Sequence, residues 1–118
     1  MFIKNNATTI INQCHLVWME SPTNPTLTVI DIAAVSKIAH KKGCTVVVDN
    51  TFLTLYFQHP LSLGADLVLH SMTEYLNGHC DVLMGALCTN DKEIHKKLKF
   101  LQLEWFYIGR IIIMEEYS

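Results

Sequence analysis

The sequence predicts an α/β domain with a mostly parallel sheet and flanking helices. Short apolar segments alternate along the chain with amphipathic segments, which is the order of βαβ units. One apolar segment, residues 45–48, is β-branched at every position, as expected of a strand covered on both faces. Of the 118 residues, 50% are hydrophobic and 17% are charged, which is enough for one small domain with a buried core.

The first half of the chain reads as strand, helix, strand. Residues 15–19 form a short apolar run that ends before a loop with two prolines, which disfavour helical angles. Asp31 is the expected N-cap of a helix that stops at Gly43. Apolar side chains share one face of that helix, namely Ile32, Val35, Ile38 and Ala39. The second strand, residues 45–48, follows directly.

The second half continues the alternation. Residues 60–64 predict a short helical turn, because a proline opens the segment and a glycine closes it. Strands are expected at residues 66–69 and 82–88. Asn90 or Asp91 then caps a last helix, with three apolar side chains on one side, Ile94, Leu98 and Leu101.

Charge and composition argue against several classes of function. Lys and Arg number 9 and Asp and Glu 11, so the formal net charge of −2 disfavours a nucleic-acid binder. No apolar run reaches the roughly 20 residues that span a bilayer, and the N-terminus lacks a secretory pattern, so a cytoplasmic protein is expected. The spacing of histidine and cysteine is irregular, so no metal site is predicted.

Polar side chains follow three predicted segments, at the edge of a parallel sheet where ligands bind. They are Asn24, Asp49, and the pair Ser71 and Thr73. A carboxylate such as Asp49 can pair with a protonated ring nitrogen or hold a metal, and two hydroxyls can bind a phosphate. The set suits a flat, phosphorylated heterocycle. The structural alternative is that Asp49 caps a helix while Ser71 and Thr73 close a turn.

Several motifs, in order, resemble the cysteine/methionine-metabolism family of pyridoxal-phosphate (PLP) enzymes. They are Glu20-Ser-Pro-Thr-Asn-Pro, Val48-Asp-Asn-Thr-Phe, Pro60-Leu-x-Leu-Gly-Ala-Asp and His70-Ser-Met-Thr-Glu-Tyr-Leu-Asn-Gly-His-Cys-Asp-Val. The resemblance covers residues 16–102. It implies part of the large PLP-binding domain of a cytosolic, homotetrameric fold-type-I enzyme that cleaves a sulfur amino acid, cystathionine, in transsulfuration.

The resemblance also implies roles for individual residues. Asp49 would pair with the pyridine nitrogen, Ser71 and Thr73 would hold the phosphate, and Asn24 would lie beside the phenolic oxygen of the ring. The family has a lysine where this chain has Glu74. A carboxylate cannot form the covalent bond that the lysine makes with the cofactor aldehyde, and its charge opposes a nearby phosphate. We therefore expect PLP binding to be weakened or lost, and lyase activity to be absent.

The resemblance predicts a division of the chain into two parts. Residues 1–102 would be a partial PLP-dependent transferase-like large domain, and residues 103–118 a divergent apolar tail. Its two apolar clusters, 105–108 and 111–114, would be prone to association if exposed. Two other functions stay open. One is a non-catalytic interaction module that forms oligomers with itself or with a full-length relative. The other is an unrelated α/β binding domain.

Overall fold

The computed structural model describes residues 15–104 and 111–114, which include a five-stranded sheet of order β1-β2-β3-β4-β5. The strands are β1 (Leu16–Glu20), β2 (Thr45–Asp49), β3 (Leu67–Ser71), β4 (Gly85–Cys88) and β5 (Ile111–Met114). The first three run parallel, β4 is antiparallel to β3, and β5 is parallel to β4. The predicted α/β class with a mostly parallel sheet is confirmed.

The two longer helices begin next to the caps that the sequence predicts. The helices are α1 (Ile32–His40), α2 (Thr54–Phe57) and α3 (Lys92–Glu104), with a 3-10 turn at Pro60–Leu63 and a π-helical turn at Met72–Leu76. The Asp31 carboxylate accepts a hydrogen bond from the Ala34 N–H at 2.9 Å. Asp91 accepts two, from the N–H groups of Glu93 and Ile94 at 2.7 and 3.0 Å. None of these described helices is long and apolar enough to cross a membrane.

The core lies between α1 and one face of the sheet. Buried side chains of β2, Val46 and Val48, pack there with Ile32 and Ala39 of α1. Val47 points to the opposite face and is only 2% exposed, so β2 is covered on both sides as its composition predicts. Burial of each such valine contributes roughly 1.5–3 kcal/mol to stability. The loop that follows β2 therefore begins from a well-packed strand.

One aspartate fastens the amino end of β2. Asp66 Oδ2 accepts hydrogen bonds from the Val46 N–H at 2.7 Å and from His40 Nε2 at 2.9 Å. The contact with His40 ties the last turn of α1 to the segment before β3. Asp66 therefore connects three elements at the edge opposite the predicted site.

The structure corrects the bounds of two predicted strands, and β3 runs to Ser71 rather than to residue 69. The fourth strand begins at Gly85, and residues 82–84 precede it. Leu101, expected on the same side of the last helix as Ile94 and Leu98, is 51% exposed. The apolar cluster at residues 111–114 forms strand β5, in which Ile113 is buried while Ile112 and Met114 are exposed. The cluster at 105–108 lies outside the described residues, and the division of the chain at residue 102 stays a prediction.

Candidate functional site

The predicted polar residues meet at one edge of the sheet. In the strand register Glu20 lies beside Asp49 and Asp49 beside Leu69, so the carboxyl ends of β1, β2 and β3 are level. The antiparallel strand β4 starts at the same edge, where Gly85 pairs with Ser71. The loops that follow the three parallel strands therefore surround one region, as expected for a ligand site in such a sheet.

Asp49 and Ser71 are joined through Thr51. The backbone N–H and the hydroxyl of Thr51 donate to Asp49 Oδ1, at 3.0 and 2.7 Å. Thr51 Oγ1 in turn accepts the Ser71 N–H at 2.8 Å. In the part of the chain that the structure describes, no hydrogen bond reaches the other carboxylate oxygen, Asp49 Oδ2. That oxygen can accept a hydrogen bond from a protonated ring nitrogen.

The hydroxyls of Ser71, the last residue of β3, and of Thr73, two residues later, already contact protein groups. Ser71 Oγ donates to Glu74 Oε2 at 2.5 Å. Thr73 Oγ1 accepts a hydrogen bond from the Met84 N–H at 3.3 Å. Glu74 itself is exposed, and its π-helical turn brings the carboxylate back to the serine that precedes the turn. The serine hydroxyl is therefore bound to a carboxylate where the sequence predicts a phosphate.

Asn24 lies in the loop after β1 and is exposed to solvent. Its backbone N–H donates to Glu20 Oε2 at 3.2 Å, so the side chain of Glu20 shapes the loop that carries Asn24. The peptide bonds preceding Pro22 and Pro25 are both cis. The structure thus places Asn24 at the predicted edge. Its side-chain amide makes no hydrogen bond to any residue that the structure describes.

Sequence reasoning missed the residue that joins the ends of β1 and β2. Gln58 Nε2 donates to the Ser21 carbonyl at 2.9 Å and to Asn50 Oδ1 at 2.8 Å. The Asn50 amide donates in return to the backbone carbonyls of Thr54 and Gln58, at 2.8 and 2.9 Å. Asn50 and Ser21 are each 1% exposed. No spacing pattern identifies Gln58, because its two partners, Ser21 and Asn50, belong to loops that are far apart in sequence.

An aromatic pair borders the same edge. The rings of Phe52 and Tyr75 lie 6.2 Å apart between centroids and are tilted by 49°. Phe52 follows Thr51 in the β2 loop, and Tyr75 follows Glu74 in the π-helical turn. Their contact holds the turn that carries Glu74 against the loop that carries Thr51, since tilted aromatic pairs add stability beyond the area they bury.

Comparison with known proteins identifies the relatives of this chain. It is 58% identical over 91 residues to cystathionine gamma-lyase of Dictyostelium discoideum, covering 77% of this chain and 24% of that protein. It is 52% identical over 94 residues to human cystathionine gamma-lyase, covering 79% of this chain and 23% of that protein. The chain thus spans about a quarter of the length of the curated relatives it matches.

Solved structures agree with this relationship. A methionine gamma-lyase from Micromonospora echinospora superimposes with a TM-score of 0.80 and 41% identity, over 90% of this chain and 29% of that one. A cystathionine gamma-synthase from Xanthomonas oryzae, in complex with aminoacrylate and cysteine, gives a TM-score of 0.81 and 44% identity over 83% of this chain and 26% of that one. The family model described as Cys/Met metabolism PLP-dependent enzyme matches residues 2–112. The chain belongs to the Cys/Met metabolism family of PLP-dependent enzymes.

Proposed function

We propose that this chain is a cystathionine gamma-lyase-like protein of cysteine biosynthesis that does not itself catalyse the lyase reaction. The proposal rests on one observation. Glu74, at the position where the family carries its lysine, supplies a carboxylate that accepts a hydrogen bond from Ser71. PLP acts in this family as an electron sink that is bonded to a lysine amine. Residue 74 of this chain has no amine to offer.

The residues at the strand ends fit one end of PLP and not the other. Asp49 Oδ2 can accept a hydrogen bond from the protonated pyridine nitrogen, while Thr51 holds Oδ1 in place. The phosphate end differs, since the hydroxyl of Ser71 donates to Glu74 and a carboxylate repels a phosphate. We therefore propose that the site as it stands does not hold PLP.

The test combines a spectrum with an assay. Purified chain is titrated with PLP while the visible absorbance is recorded, and release of 2-oxobutyrate from cystathionine is measured with and without PLP. We expect no protein-dependent visible band and no product beyond the rate of free PLP. The variant Asp49→Asn serves as the matched control, since it removes the carboxylate that would hold the ring. Product from the native chain well above the free-cofactor rate, and lost in Asp49→Asn, contradicts the proposal.

A second candidate function is a non-catalytic module that associates with a full-length family member in the cytosol. The exposed apolar side chains of β1 favour it, since Leu16 and Trp18 lie on one face of the sheet and are 49% and 57% exposed. In the described part of the chain, β1 has a neighbouring strand on one side only. Such a surface is typical of a covered interface.

Size-exclusion chromatography of the chain mixed with a full-length cystathionine gamma-lyase separates the two candidates. A mixed complex that is weakened by Trp18→Ser, and unaffected by the exposed control Lys37→Ser, favours the interaction module. If the two proteins elute independently at micromolar concentration, the interaction module is wrong. The inactive-lyase proposal does not depend on this result.

A further inference from the structure

We infer that the carboxylate of Glu74 acts as a built-in anion that closes the phosphate subsite at the end of β3. The inference rests on the proposed function, because that proposal places the cofactor region at this edge. It goes beyond loss of the lysine amine. The native chain is inferred to reject phosphorylated ligands even when no covalent bond is required.

Both hydrogen-bond donors of Ser71, at the end of β3, are committed to protein acceptors, whereas the Thr73 hydroxyl accepts a hydrogen bond and keeps its own proton. The Ser71 N–H donates to Thr51 Oγ1 at 2.8 Å, and the Ser71 hydroxyl donates to Glu74 Oε2 at 2.5 Å. Thr73 Oγ1 accepts the Met84 N–H at 3.3 Å. A phosphate would have to take the serine hydroxyl from a carboxylate, which is itself a strong, charged acceptor. It would also approach a like charge on Glu74.

The backbone holds Glu74 in the position that makes this contact. The Glu74 carbonyl accepts the N–H of Gly78 at 3.2 Å, and the Asn77 N–H also donates to it. The ring of Tyr75, the next residue, packs against Phe52 in the β2 loop. The turn is therefore fixed at both sides of Glu74, and only the side chain has to be ordered when it meets Ser71. The entropy cost of the contact is therefore confined to the side chain of Glu74.

The test measures binding of pyridoxine 5′-phosphate, which carries the ring and the phosphate but lacks the aldehyde. Covalent chemistry at residue 74 is thereby removed from the comparison. Titration calorimetry is carried out on the full chain and on Glu74→Ala and Glu74→Gln. Glu93→Ala is the matched control, because it removes an exposed glutamate in α3, far along the chain from the site. Thermal unfolding of each variant checks that the fold is kept.

The native chain should bind pyridoxine 5′-phosphate weakly, and Glu74→Ala should tighten binding by about tenfold or more, since a charge-assisted competitor is gone. Glu74→Gln keeps an acceptor for Ser71 but loses the charge, so its gain should be smaller. The double variant Ser71→Ala/Glu74→Ala should lose the gain, and Glu93→Ala should show none. The inference is supported only if the affinities of all the variants for pyridoxine 5′-phosphate follow this order.

The inference is wrong if Glu74→Ala, folded as the native chain is, binds no more tightly than the native chain. It is also wrong if the gain survives in the double variant, or if Glu93→Ala produces an equal gain. None of these results bears on the proposed lack of lyase activity. Conversely, 2-oxobutyrate release by the native chain would overturn that proposal, while the order of pyridoxine 5′-phosphate affinities would still decide the inference.

Discussion

Gln58 is the residue whose replacement should most directly uncouple the loops of the site. Its side-chain amide donates to the Ser21 carbonyl and to Asn50 Oδ1, at 2.9 and 2.8 Å, and both partner residues are 1% exposed. Gln58→Met keeps the length of the side chain and removes the donor. Two hydrogen bonds at about 1 kcal/mol each, with buried acceptors left unsatisfied, give an expected loss of about 2–3 kcal/mol in the free energy of unfolding.

A charged isostere sharpens this prediction. Gln58→Glu has the same shape as glutamine but directs an oxygen, in place of the amide donor, at two acceptor oxygens. Repulsion then adds to the lost hydrogen bonds, so Gln58→Glu should destabilise the fold more than Gln58→Met does. Stability should therefore fall from the native chain to Gln58→Met and again to Gln58→Glu. This order is expected only if the amide donor, rather than the packing of the side chain, joins the two loops.

Urea unfolding followed by far-ultraviolet circular dichroism measures the effect. With an m value of about 1.5 kcal/mol/M, a loss of about 2.5 kcal/mol lowers the unfolding midpoint by nearly 2 M. Lys37→Met, at an exposed position of α1, is the control and should change stability by less than about 0.5 kcal/mol. If Gln58→Met is as stable as this control, the two loops do not depend on the amide and the reasoning fails.

Three further predictions concern other positions. Asp66→Ala should cost about 2–3 kcal/mol in urea unfolding, because the buried N–H of Val46 loses a carboxylate acceptor at 2.7 Å. Gly64→Ala should cost about 1–2 kcal/mol, since this position has a φ of +96° and an added Cβ would lie 3.2 Å from that of Ser36. Glu74→Lys should restore an amine and a weak visible band with added PLP, yet 2-oxobutyrate release should stay at the free-cofactor rate.

Each of these predictions has an outcome that would contradict it. Glu93→Ala, which breaks an exposed ion pair with Lys96, is the control for Asp66→Ala and should be nearly neutral. Equal midpoints for these two variants would show that the Asp66 contact adds no stability. A Gly64→Ala protein as stable as the native chain would mean that the turn adjusts without strain. Turnover by Glu74→Lys would show that residue 74 alone separates this chain from an active lyase.

Features fixed by neighbouring residues could be predicted from the sequence. The caps at Asp31 and Asp91 depend on side chains that bond to the next turn of their own helix, so local pattern identifies them. Apolar runs that stop at polar residues predict the ends of β2 and β3 to within two residues, at positions 48 and 69, where the structure has Asp49 and Ser71. Their convergence follows from parallel pairing alone, which is why the edge could be predicted before its geometry was known.

Features that depend on tertiary contacts could not be predicted. Gln58 acts on Ser21, which is 37 positions away in the chain. The hydrogen bond of Ser71 to Glu74 depends on a π-helical turn, which no propensity indicates. Strand β5 is a run of four apolar residues, too short for periodicity to distinguish a strand from an exposed cluster. Only its pairing with β4 defines it as part of the sheet.

Thr51 explains why a change at residue 74 can alter the ligand without altering the scaffold. Its hydroxyl donates to Asp49 and accepts the Ser71 N–H, so the ends of β2 and β3 are joined by contacts that do not involve Glu74. Among the residues that the structure describes, Glu74 is hydrogen-bonded to this arrangement through the hydroxyl of Ser71. Under the proposed function, an amine at residue 74 would leave that hydroxyl available to a phosphate, whereas a carboxylate binds it. Under the same proposal, the contacts of Thr51 that orient Asp49 do not depend on residue 74, and the side chain at residue 74 selects between an anion from a ligand and one from the protein.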